Sequence, residues 1–218
     1  LQDYHDQIRI RGKEIIDYVN ANNLNAIVLA GRPYHIDPEV NHGIPELIEG
    51  MKIPVISEDA VAYNIKDVDT KVRVLDQWSY HARLYRAAEY IADNPNLQLI
   101  QLNSFGCGLD AVTTDQVQDL LEAHGKIYTL LKIDEVSNLG AIKIRIRSLL
   151  QALNQKKMEG IVFKEDLDRL DYSTPEFTKQ MVDEGYTILA PQMAREHFRI
   201  LAPVFHHYGM NIELSLIH

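Results

Sequence analysis

Hydrophobic and polar positions along the 218-residue chain switch repeatedly between two periods. Short, largely apolar runs lie at 25–30, 53–56, 97–102 and 127–131. They read as strands covered on both faces, since a strand with one wet face would alternate. Longer stretches between them carry helical spacing. Ile8, Ile15, Ile16 and Val19 mark a helix near the start, and 44–51 fits a short one. Trp78, Ala82, Tyr85, Ala88 and Ala92 share one face of a helix over 77–93. Further helices are predicted over 111–125 and over 138–155, the latter with Ile142, Ile146, Leu149, Leu150 and Leu153 as its apolar stripe. Strands alternating with helices predict an α/β fold: a Rossmann-like parallel sheet with helices on both faces and right-handed crossovers.

Beyond Lys157 the pattern loosens. A charged stretch at 164–171 precedes Ser173-Thr-Pro-Glu176, a good helix start. Phe177 opens a helix that ends at Gly185, followed by a strand at 186–190, a helix at 194–208 and a strand at 211–214. The expected organisation is an N-terminal helix at 1–24, a Rossmann-like domain at 25–157, and a linker with a second, smaller βαβ unit at 158–218. The first residue, Leu1, and the apolar run at the end suggest a piece of a longer polypeptide.

Charge and composition narrow the function. The chain has 22 basic and 31 acidic residues, a net charge of −9, which argues against a nucleic-acid partner. No apolar run approaches the ~20 residues of a membrane span, and no secretory leader pattern is present. A single cysteine cannot form an internal disulfide, so a cytoplasmic setting is expected. Walker-type loops, the three-glycine dinucleotide pattern, nucleophile elbows and Cys-x-x-Cys pairs are all missing from the sequence.

Candidate chemistry gathers where predicted strands end, the edge at which doubly wound sheets bind ligands. Three loops leave such ends. The first carries Gly31, Arg32, Tyr34 and His35 and runs on to Asn41 and His42. The second is Asn103-Ser-Phe-Gly-Cys-Gly-Leu-Asp110, and the third carries Asp134, Glu135 and Asn138. Arg32 could grip a phosphate or carboxylate through its planar fork, or pair with an acid. His35 and His42 lie seven apart, not a zinc spacing, and read more readily as hydrogen-bonded loop histidines. Asp134 and Glu135 are neighbours on an extended segment, so at most one faces a cleft. Asp110 and Asp115 read as favouring a helix N-terminus. His206 and His207 read as packing or surface residues. The candidate binding set is therefore Gly31, Arg32, Tyr34, His35, Asn41, Asn103, Ser104, Asp134 and Asn138. Cys107, between two glycines before a helix, is the candidate metal ligand or reactive thiol.

Three stretches carry a family resemblance. They are the segment from Asn103 through Cys107 to Gln116, the segment Gly31-Arg-Pro-Tyr-His-Ile-Asp-Pro-Glu-Val-Asn-His-Gly43, and the segment from Lys126 to Gly140 running on to Arg145 and Arg147. Together they resemble the large activase-related proteins of the 2-hydroxyacyl-CoA dehydratase family. The resemblance implies an anaerobic, lyase-related iron–sulfur protein receiving electrons from an ATP-driven activase. Cys107 would supply one cluster ligand, with the others coming from outside this chain. The piece alone would then be inactive and largely cluster-free, with ATP confined to a separate activase module or subunit as partner and an acyl-CoA as substrate. Two other readings stay open: a non-catalytic acyl-CoA, anion-binding or activase-docking module, and a cysteine-dependent hydrolase or transferase.

The cysteine reading predicts reactivity. A helix N-terminus lowers a thiol below the ~8.5 of free cysteine, whereas apolar burial raises it. Cys107 is expected to alkylate readily with iodoacetamide near neutral pH. Labelling of the native protein far slower than of a denatured control would make it a packing residue.

Overall fold

The computed structural model describes residues 2–65, 72–73, 76–104, 108–133, 138–160, 165–172, 176–190 and 195–214. They divide into two compact units, residues 1–172 and 173–218.

The first unit opens with α1 (Gln2–Ala21) and β1 (Ala26–Ala30), followed by a 3-10 turn at Pro33–Ile36. Two short helices, α2 (Pro38–Asn41) and α3 (Ile44–Glu49), lead to β2 (Val55–Ser57). Then come α4 (Ser79–Ala92), β3 (Leu97–Ser104), α5 (Gly108–Ala123), β4 (Thr129–Ile133) and α6 (Leu139–Glu159). The four strands form one parallel sheet in the order β2-β1-β3-β4. Val28 pairs with Ile56 on one side and Leu99 on the other, and Leu102 pairs with Leu131. All five residues of β1 are buried, as the unbroken apolar run predicts.

Side chains alternate between two cores. Ala26, Val28, Ala30, Leu97 and Leu99 pack with Ile16 and Val19 of α1, Leu84 and Ile91 of α4, and Val117 and Leu120 of α5. Ile27, Leu29, Ile100, Leu102 and Leu131 pack with Ile44 and Ile48 of α3, and with Ile142, Ile146 and Leu149 of α6. Helices therefore cover both faces, and the fold is the Rossmann-like α/β arrangement expected. The unit runs past residue 157 to Tyr172, because Leu170 is buried in the α1-side core and the Tyr172 hydroxyl donates to Asp119. On the same core, α1 is an integral layer rather than an appendage.

Helix ends follow local chemistry. Asn138 accepts the Gly140 N–H at the start of α6, and Gly160 closes it in the left-handed region.

The second unit is a small βαβ. Thr178 caps α7 (Lys179–Asp183); β5 (Thr187–Ala190) and β6 (Asn211–Leu214) pair in parallel, with α8 (Arg195–His207) between them in the chain.

One glycine decides how α1 docks. A Cβ built on Gly12 collides with the methyl and Cα of Ala60. Helix propensity alone favours Gly→Ala by about 1 kcal/mol, whereas overpacking costs about 1–3 kcal/mol. Gly12→Ala is expected to lower stability by about 1 kcal/mol in denaturant unfolding; a more stable variant would show that the contact yields freely.

Candidate functional site

The strand order reverses direction between β1 and β3, since the chain leaves β1 toward β2 and leaves β3 toward β4. At such a switch point a crevice forms beyond the strand ends. Long-range polar contacts tie the loop after β1 to the end of β3 and to the first turn of α5. The Arg32 guanidinium donates through Nε (2.8 Å) and Nη2 (2.7 Å) to Asp110 Oδ1 in the first turn of α5. The Asp110 side chain is only 8% exposed.

His35 makes the second tie. The Arg32 backbone N–H donates to its Nδ1 at 2.9 Å, so the imidazole proton resides on Nε2 and is donated to Ser104 Oγ at 2.7 Å. Burial lowers the His35 pKa below the usual histidine range, and Arg32 pushes the same way against the opposing pull of Asp110. The ring is neutral at neutral pH. Gly31 has to be glycine for this geometry: a Cβ there would collide with His35 Nδ1 and lie 3.1 Å from the Leu102 carbonyl oxygen.

The remaining sequence candidates fall into separate roles. Asn41 is buried and stitches the loop, donating to the His35 carbonyl (3.1 Å) and accepting from the Gly43 N–H (3.0 Å). Tyr34 is exposed, its ring meeting that of His35 edge-on at 4.6 Å. Asn103 is buried at the end of β3, and its Oδ1 has no partner among the described residues. Asn138 is the cap of α6 and does not line the crevice cavity. Cys107 and Asp134 lie outside the described residues.

The structure adds residues that the sequence reading did not single out. Glu58, in the 3-10 turn after β2, is buried and accepts the Gly31 N–H and Arg83 Nη2 (3.2 Å). Arg83, on α4, also pairs with Asp59. A cavity of about 220 Å³ opens here, lined by Pro33, His35, Val55, Ile56, Glu58 and Arg83 among others. Burial drives the Glu58 carboxyl up to about 8, although Arg83 and the Gly31 amide oppose the shift. No local pattern marks Glu58: its partners are 25 and 27 residues away in the chain.

Chemically, the crevice offers a neutral imidazole, a carboxyl poised to exchange a proton near neutral pH, and two guanidinia already matched by carboxylates. Such a set can orient a small ligand and move a proton. It is poorly suited to a polyphosphate, which needs unmatched positive charge. A four-thiolate cluster does not fit the chain's own donors: there is one cysteine, and no group of three His, Cys, Asp or Glu is placed to hold a metal among the described residues. No helix among the described residues is long and apolar enough to cross a membrane.

The fold and crevice define a doubly wound α/β module with its ligand edge at the β1/β3 switch point. Residues 1–61 match the family model of the CoA enzyme activase uncharacterised domain (DUF2229), so this part of the chain is similar to activase-related proteins. The match spans α1 to the turn after β2, including Gly31, Arg32, His35 and Glu58; the cysteine segment lies beyond it. No curated protein and no solved structure matches the chain.

Glu58 makes stability depend on pH. Its folded pKa lies above its ordinary value of 4.5, so the native state holds the proton more tightly than the unfolded chain between pH 4.5 and about 8. The contribution of Glu58 to stability is then greatest below this window and falls as pH rises through it, by at most about 1.4 kcal/mol per pH unit. Glu58→Gln is expected to flatten that slope in unfolding measured from pH 5 to 8. An unchanged slope would show that Glu58 is ionised throughout.

Proposed function

We propose that the chain is the crevice-bearing α/β module of an anaerobic iron–sulfur protein of the 2-hydroxyacyl-CoA dehydratase or reductase type, served by an ATP-dependent activase. One observation carries the reading. The described residues on either side of the cysteine loop are bound to the loop after β1: Ser104 by His35, and Asp110 by Arg32. Ser104 and Asp110, the described residues that flank the cysteine segment in sequence, thereby lie beside the switch point, where ligands of doubly wound sheets sit. The activase-related match over residues 1–61 supports the same direction.

In this reading Cys107 supplies one thiolate to a cluster completed by ligands from outside the chain. The cluster would contribute electron transfer when bound. The chain's own residues do the positioning. His35, held neutral and oriented by the Arg32 amide, fixes Ser104. The Arg32–Asp110 pair sets the first turn of α5 against the β1 loop. Glu58 can hold or release a proton at the crevice cavity. The partner is an activase module or subunit, and the substrate class is an acyl-CoA, whose acyl end rather than its phosphates would meet the crevice.

The test is Cys107→Ser in the intact protein after anaerobic reconstitution with iron and sulfide. Serine is a poor substitute for a soft thiolate. Expected outcomes are a clear loss of bound iron and of activase-dependent electron transfer, with unchanged thermal unfolding. Wild-type iron content and electron transfer in the variant would overturn the proposal.

A further inference from the structure

A second cavity, of about 200 Å³, lies between the first turns of α4 and α5. It is lined by Asp76, Trp78, His81, Tyr85, Leu109 and Val112, among others, and shares no lining residue with the crevice cavity. Its walls are mainly apolar and aromatic, with a few polar groups, the usual make-up of a small-molecule site.

His81 is the anomaly. It is only 6% exposed, yet neither ring nitrogen has a hydrogen-bond partner among the described residues. Buried polar groups are nearly always paired, because an unpaired one has given up water for nothing. His35, equally buried, shows the ordinary solution, with both nitrogens satisfied. Asp76 Oδ1 is a second buried atom without a partner among these residues. Trp78 is 48% exposed, and its ring lies 5.1 Å from that of His81, tilted by 49°. An aromatic face thus stands half open beside an imidazole whose donor and acceptor are both unused among the described residues.

We propose that this cavity binds a small planar heteroaromatic ring, stacked against Trp78 and hydrogen-bonded along its edge by His81 and Asp76. Size fits the class: an apolar cavity of about 150 Å³ accepts benzene, so this one has room for one ring or two small fused rings. Polarity fits as well. A neutral imidazole presents one N–H and one lone pair, and burial holds His81 below the usual histidine pKa. A ring bearing both an N–H and a ring nitrogen can accept from the His81 N–H and donate to Asp76 Oδ1 or to the His81 lone pair, whereas a plain hydrocarbon pairs with none of them. The site does not depend on Cys107 or on a cluster.

Trp78 is the only tryptophan in the chain, so its fluorescence reports this cavity alone. The probes are benzimidazole, with one N–H and one ring nitrogen, and indene, of the same shape but without nitrogen. Benzimidazole is expected to quench Trp78 saturably and to bind roughly tenfold more tightly than indene, the effect of about one net hydrogen bond. His81→Phe is expected to erase that preference and, by removing unpaired buried nitrogens, to raise the Tm of the free protein. Should that variant fail to fold, the imidazole nitrogen resonances of wild-type His81 decide: both shift on saturation with benzimidazole if the proposal holds. Absence of saturable quenching, equal affinity for the two probes, full retention of the preference in His81→Phe, or His81 resonances that report water alone would each overturn it.

Discussion

Arg32 and Asp110 are both largely withdrawn from water, 78 residues apart in sequence and joined through a single carboxylate oxygen. Desolvating either ion alone costs several kcal/mol, so each is tolerable in place only while the other is present. That mutual requirement ties the loop after β1 to the first turn of α5. Its consequences spread outward. With Arg32 fixed, its backbone N–H is fixed too, and this N–H selects the His35 tautomer. The tautomer directs a proton to Ser104. On the other side of the same turn, the Gly31 N–H is committed to Glu58, which brings β2 and α4 into the network through Arg83.

The network also sets the electrostatic character of the crevice. Each guanidinium is spent on a carboxylate within the protein, so fixed charge is largely cancelled and what remains is proton chemistry. Glu58 is the group most affected: deep burial outweighs the nearby cation. A crevice of this kind discriminates ligands by shape and hydrogen-bond pattern more than by charge.

Much of the fold was legible because it depends on local pattern. The strands β1, β3 and β4 and the helices α4, α5 and α6 fall within a few residues of their expected ranges, since a doubly buried strand and an amphipathic helix each leave a distinct period in the chain. The 3-10 turns at Pro33–Ile36 and Glu58–Ala60 left no comparable trace. The site was less legible. Arg32, His35 and Ser104 were identifiable from their place at strand ends, and Asn41 and Asn138 from the same rule, although the first stitches its own loop and the second caps α6. Asp110 read as an ordinary first-turn acid because its partner lies in a distant loop. Glu58 and His81 carried no signal, because what distinguishes them is burial without the usual compensation, a property of three-dimensional packing and not of spacing.

The family match ends at residue 61, but the folding unit does not. Within that span β1 has β2 on one side only; its other edge hydrogen-bonds β3 across the whole register from Ala26↔Leu97 to Ala30↔Gln101. Ile16 and Val19 of α1 likewise pack in a core shared with α4 and α5. An expression boundary drawn at residue 61 would release a fully apolar strand with a row of unpaired amides and carbonyls along one side. Such an edge recruits a second copy of itself. The matched stretch is thus shorter than the compact unit to which it belongs, which extends to Tyr172.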